Sequence, residues 1–291
     1  MRKMLMTSLI GATAVALTAS PAFAQMSDPA PAPTIEASPP PAPVEDRPFQ
    51  GFYVGGFVGY DVQPNDPGES IVFNRGGSAT VTTAAGADAF SPGFCNGAAN
   101  GTGPDNGCRN DRDQFTYGGR IGFDLQKGPF VIGALAEFGD SRISDSVSAF
   151  STTPASYTLT RSVNWEGGLR GRVGFAARNT LFYGTGGVGY ARIKSDFSTT
   201  NTANAFAVTV TRNKWGIQYG GGIEQKIGRH FSIGLEYLYH DYNTPDARVL
   251  VSQGTAPATN PFVLGGTTTT FARSDTKFNW HSLRLTAAFR F

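Results

Sequence analysis

The chain has 291 residues, with 37 glycines, 12% aromatics and only 16% charged residues, against roughly 25% in typical soluble domains. Its 24 basic and 22 acidic residues nearly balance, which gives no basis for a nucleic-acid partner. Two cysteines, Cys95 and Cys108, are too few for a disulfide scaffold but close enough for one local disulfide in an oxidising compartment.

Arg2-Lys3 precedes an apolar stretch from Met4 to about Ala19 and then Ala22-Phe23-Ala24, the small-x-small pattern that signal peptidase accepts. Residues 1–24 therefore read as a signal peptide cleaved before Gln25. Residues 25–48 read as a Pro-rich periplasmic linker, because eight of the 18 prolines fall between Asp28 and Pro48. Such a segment is extended at about 3.1 Å per residue. No later run reaches the length of an apolar membrane helix, so a spanning mature chain must cross as a closed barrel.

From residue 49 to 291 the pattern changes to runs of about ten residues that alternate apolar with small or polar side chains, the signature of membrane strands. Eight runs occur, at 51–60, 114–125, 130–138, 164–175, 181–193, 215–227, 231–242 and 278–291. In the last, Leu283, Leu285, Ala287, Phe289 and Phe291 share one face and Ser282, Arg284, Thr286 and Arg290 the other. The first and fifth runs stay ambiguous because glycine occupies both faces. Short connections at Lys127-Gly128-Pro129, Arg178-Asn179 and Gly228-Arg229 alternate with long ones at about 61–113, 141–163, 194–214 and 243–277. The fold class is all-β: an eight-stranded antiparallel transmembrane β-barrel, short turns in the periplasm and long loops outside. Aromatics near strand ends (Phe115, Tyr117, Phe130, Phe138, Trp165, Trp215, Tyr237, Tyr239 and Trp280) fit an interfacial belt. A soluble barrel with an apolar interior is the competing reading.

Parity places Arg120, Arg170, Arg172, Lys226, Arg284 and Arg290 inside, with Asp124, Glu137, Glu166, Glu224 and Glu236. Eight strands enclose a space that side chains fill, so these charges should pair as a plug; a narrow ion path is the alternative. Catalysis finds little support. His230 falls in a turn, and His281 next to Ser282, like His240 next to Asp241, points to the opposite face from its neighbour. Asp105, Asn110, Asp111 and Asp113 match no calcium-loop template. His240 with Tyr237, Tyr239 and Tyr242 suggests haem capture only weakly beside an aromatic belt. No metal and no cofactor is expected.

Gly51-Phe52-Tyr53-Val54-Gly55-Gly56 resembles the opening strand of porin-family surface-antigen barrels related to OmpA, OmpX and the opacity proteins. Trp215-Gly216 leading to Tyr219-Gly220-Gly221-Gly222-Ile223-Glu224, then Ile233-Gly234-Leu235-Glu236-Tyr237, resembles their sixth and seventh strands. Phe289 and Phe291 are similar to the carboxy-terminal signal read by the barrel-assembly machinery. The resemblance implies a non-enzymatic Gram-negative outer-membrane protein among lipid and lipopolysaccharide, supporting envelope integrity and displaying loops to an unread ligand. A small-solute porin is the alternative, and a haem receptor or a barrel enzyme stands behind it. The long first loop and the Pro-rich prefix depart from the family pattern. The loops, rich in Ser, Thr, Asn, Gly and Ala, promise few aromatic anchors.

Overall fold

The computed structural model describes residues 47–64, 68–209, 212–244 and 247–291. The expected signal peptide and nearly all of the expected linker lie outside the described residues.

All eight runs form strands: β1 Gly51–Val62, β2 Gln114–Lys127, β3 Phe130–Asp140, β4 Ala155–Ala177, β5 Thr180–Thr199, β6 Asn213–Ile227, β7 Phe231–Asn243 and β8 Lys277–Arg290. Each pairs antiparallel with its chain neighbour, and β8 returns to β1 with Val58 opposite Leu285. Closure leaves the barrel no open edge, which a bilayer requires. Gly128 and Gly228 take positive φ, 56° and 65°, where two tight turns reverse the chain.

Burial is inside out. Leu169, Val173, Ile132 and Leu285 are about 60% exposed, whereas Arg120, Arg170, Arg172, Glu236, Arg284 and Arg290 are buried. This resolves the two glycine-rich strands. Tyr53 and Phe57 of β1 and Leu181 and Tyr183 of β5 point inward, while Val54, Val58 and Phe182 face outward. A Cβ on Gly122 would lie 2.4 Å from the Tyr53 ring, and one on Gly118 would lie 2.5 Å from Phe57. These glycines are spaces into which inward aromatics lie, so glycine on the lumen face is packing rather than lost pattern.

The long connections depart from the expectation of open loops. β4 begins nine residues before the expected Asn164, and β5 continues past Ile193 to Thr199; the two stay paired above the barrel from Ile193↔Val163 to Thr199↔Tyr157. Ser144–Ser151 adds to this extension, and Gly93–Asn96 adds to Ser144–Ser151. A second sheet orders Ala205–Thr209, Arg248–Ser252, Thr269–Arg273 and Ile71–Arg75, drawing strands from three loops. Between the sheets lies a core containing Ile71, Phe90, Val147, Tyr157, Leu159, Val249, Val251, Phe262 and Phe271. The four loops thus build a β-sandwich cap. Their aromatics are few but converge: the Phe271 ring lies 5.1 Å from Phe73, 5.6 Å from Tyr157 and 5.4 Å from Phe262. Phe271→Ala is expected to cost the cap roughly 3–5 kcal/mol. Limited proteolysis should then cut the cap segments while the barrel keeps its heat-modifiable mobility on gels.

Cys95 and Cys108 form a disulfide, with Cα atoms 6.3 Å apart, within the first loop.

Candidate functional site

The lumen is the site that parity pointed to, and every one of its eleven expected charges is buried there. Three layers follow from strand register. In the middle layer Glu236 of β7 accepts from Arg120 at 2.7 Å, Arg170 at 3.1 Å and the Tyr183 hydroxyl at 2.9 Å. Glu137 of β3 accepts from Arg170 at 2.6 Å and Arg284 at 2.9 Å. In the layer at the short-turn end Asp124 and Glu224 bind Arg172 and Arg290, with Arg290 Nη1 2.8 Å from Asp124 and Arg172 Nη1 2.8 Å from Glu224. The Tyr53 ring lies under both of these guanidiniums, at 4.8 and 4.7 Å. Lys226 donates to the Pro48 carbonyl at the mouth.

The third, outer layer was not legible. His240 Nδ1 lies 2.9 Å from Glu166 Oε1, and Nε2 lies 3.0 Å from the Ser282 hydroxyl. Ser282 is in turn 2.5 Å from Asp61, which also accepts from Ser141 at 2.6 Å. Parity rightly separates His281 from Ser282 along one strand. It says nothing about His240 and Ser282, which lie on paired strands and face the same lumen. Likewise His240, Tyr242 and Trp280 are inside rather than in the belt: all are at most 1% exposed, and Trp280 stacks on both rings at 8°. The belt keeps Tyr237 and Tyr239, so the haem-like grouping is split between two faces.

Ser–His–Glu spacing of this kind can activate a nucleophile. Here the Ser282 hydroxyl donates its one proton to Asp61, so that proton is not aimed at His240 for abstraction. Ser282 is 1% exposed beneath an apolar layer of Ile143, Val163, Ile193, Phe278 and Trp280. The arrangement braces the outer mouth and offers no open nucleophile.

The inner mouth is closed by the chain itself. Phe49, fully buried, packs with Val131, Ala176, Leu181 and Tyr183; its N–H donates to Gln126 at 2.9 Å and its carbonyl accepts from Arg290 at 2.5 Å. Paired charges fill the lumen between two apolar seals.

A fourth charged cluster, unforeseen, ties the cap to the rim. Arg273 binds Glu69 at 2.5 and 2.6 Å and Asp145 at 2.7 Å, and Arg161 binds Asp145 at 2.6 Å. The Asp111 side chain accepts from the Ser146 N–H at 2.7 Å, and burial, then the Asp145 carboxylate, push it from 3.8 up to about 7. Burial raises Glu69 as well, against the pull of Arg273. The folded cap therefore holds protons that the unfolded segment releases. The contribution of Asp111 to cap stability is full below pH 3.8 and declines as pH rises towards 7. Hydrogen exchange around Ser146, corrected for intrinsic rate, should show less protection at pH 8 than at pH 5, and Asp111→Asn should flatten the difference. Asp113 turns elsewhere, to the Gln63 N–H at 2.9 Å, and Asp105 sits in a separate 3-10 turn. Among the described residues no group of three His, Cys, Asp or Glu is placed to hold a metal.

A family model described as the outer membrane protein beta-barrel domain matches residues 10–291. The chain belongs to this outer-membrane β-barrel family. It is 33% identical over 129 residues to the 31 kDa outer-membrane immunogenic protein of Brucella melitensis, covering 44% of this chain and 53% of that protein. It is 31% identical over 139 residues to the 22 kDa outer membrane protein of Rhizobium leguminosarum, covering 47% and 57%. The chain thus spans about half the length of the relatives it matches. Among solved structures it resembles the outer membrane protein OprG from Pseudomonas aeruginosa, at a TM-score of 0.48 and 12% identity, over 84% of this chain and 99% of that one. Family membership settles the soluble-barrel alternative: the apolar outer face of this outer-membrane barrel meets lipid.

Proposed function

We propose that this outer-membrane barrel is a non-enzymatic surface protein, closed to solutes, whose role is to anchor and present a folded extracellular cap and to contribute to envelope integrity. The observation that carries this reading is the lumen. Arginine–carboxylate pairs occupy its cross-section, and Phe49 below and Trp280 above seal it with apolar groups. A conducting path would need hydrated charges, and these are spent on one another. Relatives named as outer-membrane immunogenic proteins support surface display. The test is reconstitution of the purified mature barrel in planar bilayers. No steady conductance step is expected; a reproducible one of porin size would replace this reading by a small-solute porin.

Two features of biogenesis complete the proposal. Residues 1–24 act as the export signal, so amino-terminal sequencing of the exported protein should begin at Gln25. Phe289 and Phe291, both exposed at the lipid face with rings 5.2 Å apart, serve as the assembly signal. Phe291→Ala should slow membrane assembly in cells more than refolding in detergent.

A further inference from the structure

Phe138, Trp165, Tyr190 and Trp215 form a continuous row around β3 to β6, with successive ring centroids 5.6, 5.9 and 4.8 Å apart. Such a row marks the interface on the long-loop side. Register fixes what stands above it, because Trp165 is opposite both Asp140 and Arg192. Arg142 and Lys194 follow two residues further out, about 7 Å higher at strand rise.

These residues point away from the barrel. Thr160 and Ser162 alternate with buried Leu159, Arg161 and Val163, and Arg192 and Lys194 alternate with buried Ala191 and Ile193. Thr160, Ser162 and Lys194 line an outward groove of about 460 Å³ with Arg112, Asp140, Arg142 and Ser144. It adjoins a second groove of about 600 Å³ that shares Arg112 and adds Arg109. The Arg142 and Lys194 side chains are 79% and 60% exposed. Nearby carboxylates are engaged: Asp111 accepts from the Ser146 N–H and Asp113 from the Gln63 N–H, while Asp140 lies 3.6 Å from Arg142 and Asp196 pairs with Lys194 at 3.0 Å, two exposed pairs that a phosphate would have to displace. On the opposite side of the barrel the same height carries Asp241, Asn243, Asn279 and Lys277. Cations gather on one face only, beside hydroxyls, at headgroup level.

We propose that the groove lined by Arg112, Arg142 and Lys194 binds the phosphate groups of the outer-leaflet glycolipid, lipopolysaccharide, and so fixes one lipid molecule against β3 to β5. Guanidinium and ammonium groups supply charge, and Ser144, Thr160 and Ser162 supply hydroxyl donors to phosphate oxygens. The inference rests on outer-membrane placement and not on the closed lumen, so a conducting barrel would leave it standing.

The test uses the mature protein refolded in detergent, with lipid retention read by native mass spectrometry. Lipid A bearing both phosphates should be retained, and chemically dephosphorylated lipid A should be lost. Each cation near an anionic lipid surface is worth roughly fivefold, so Arg112→Gln/Arg142→Gln/Lys194→Gln should weaken retention roughly a hundredfold. Lys277→Gln, on the opposite face, should leave it unchanged. Heat-modifiable mobility confirms that each variant is folded. Equal retention by the triple variant, or of dephosphorylated lipid A, overturns the proposal. So does inorganic phosphate binding as tightly as lipid A, since the occupant would then be a free anion.

Discussion

Glu236→Ala should destabilise the barrel by roughly 3–5 kcal/mol, the cost of stranding buried charges whose partner is gone. Glu236 is 0% exposed and is shared by Arg120, Arg170 and Tyr183. Its removal leaves two guanidiniums facing each other, with Glu137 as their remaining carboxylate. Glu236→Gln keeps the volume and a carbonyl acceptor but not the charge, and should fall between. The measurement is the urea midpoint of the refolded barrel in lipid, with gel mobility as a second readout. An unchanged midpoint would mean that water solvates these charges, and the lumen would then be open enough to conduct.

The second large effect lies on the other face of the wall. Leu285 is 62% exposed, opposite Val58 and Leu235, and four residues from both His281 in the outer belt and Phe289 in the inner one. That position is near the bilayer midplane, where an arginine costs about 2–4 kcal/mol. Leu285→Arg should therefore lower the unfolding midpoint strongly. Arg284→Lys, one residue away in the lumen, keeps a positive charge beside Glu137, which accepts from Arg284 at 2.9 Å, and should cost far less. The reverse order of effects would invert the facing of β8.

Parity carried the reading of the lumen. Arg120, Arg172 and Glu236 could be placed inside because consecutive strand residues face opposite ways and one face of each strand was apolar. Their partners could not be read, since Arg172 and Asp124 are 48 residues apart and meet only because register sets both opposite Gly133 of the intervening β3, where no side chain separates them. His240 and Ser282 were hidden for the same reason. Trp280 misled because an aromatic near a strand end suits a belt by composition, while its own parity with Ser282 and Arg284 puts it inside.

Strand number and facing were local properties of this chain: a period of two residues, charge confined to one face and short turns alternating with long connections all act over a few residues. The cap was not. Ile71, Val147, Phe206 and Phe271 are scattered over four loops, each too polar and too short in apolar pattern to announce a core. Only when the closed barrel brings the four loop ends together does burying those few aromatics outweigh the entropy of ordering the segments between them. The seals at both mouths arise in the same way, from side chains that meet only after the wall has closed around them.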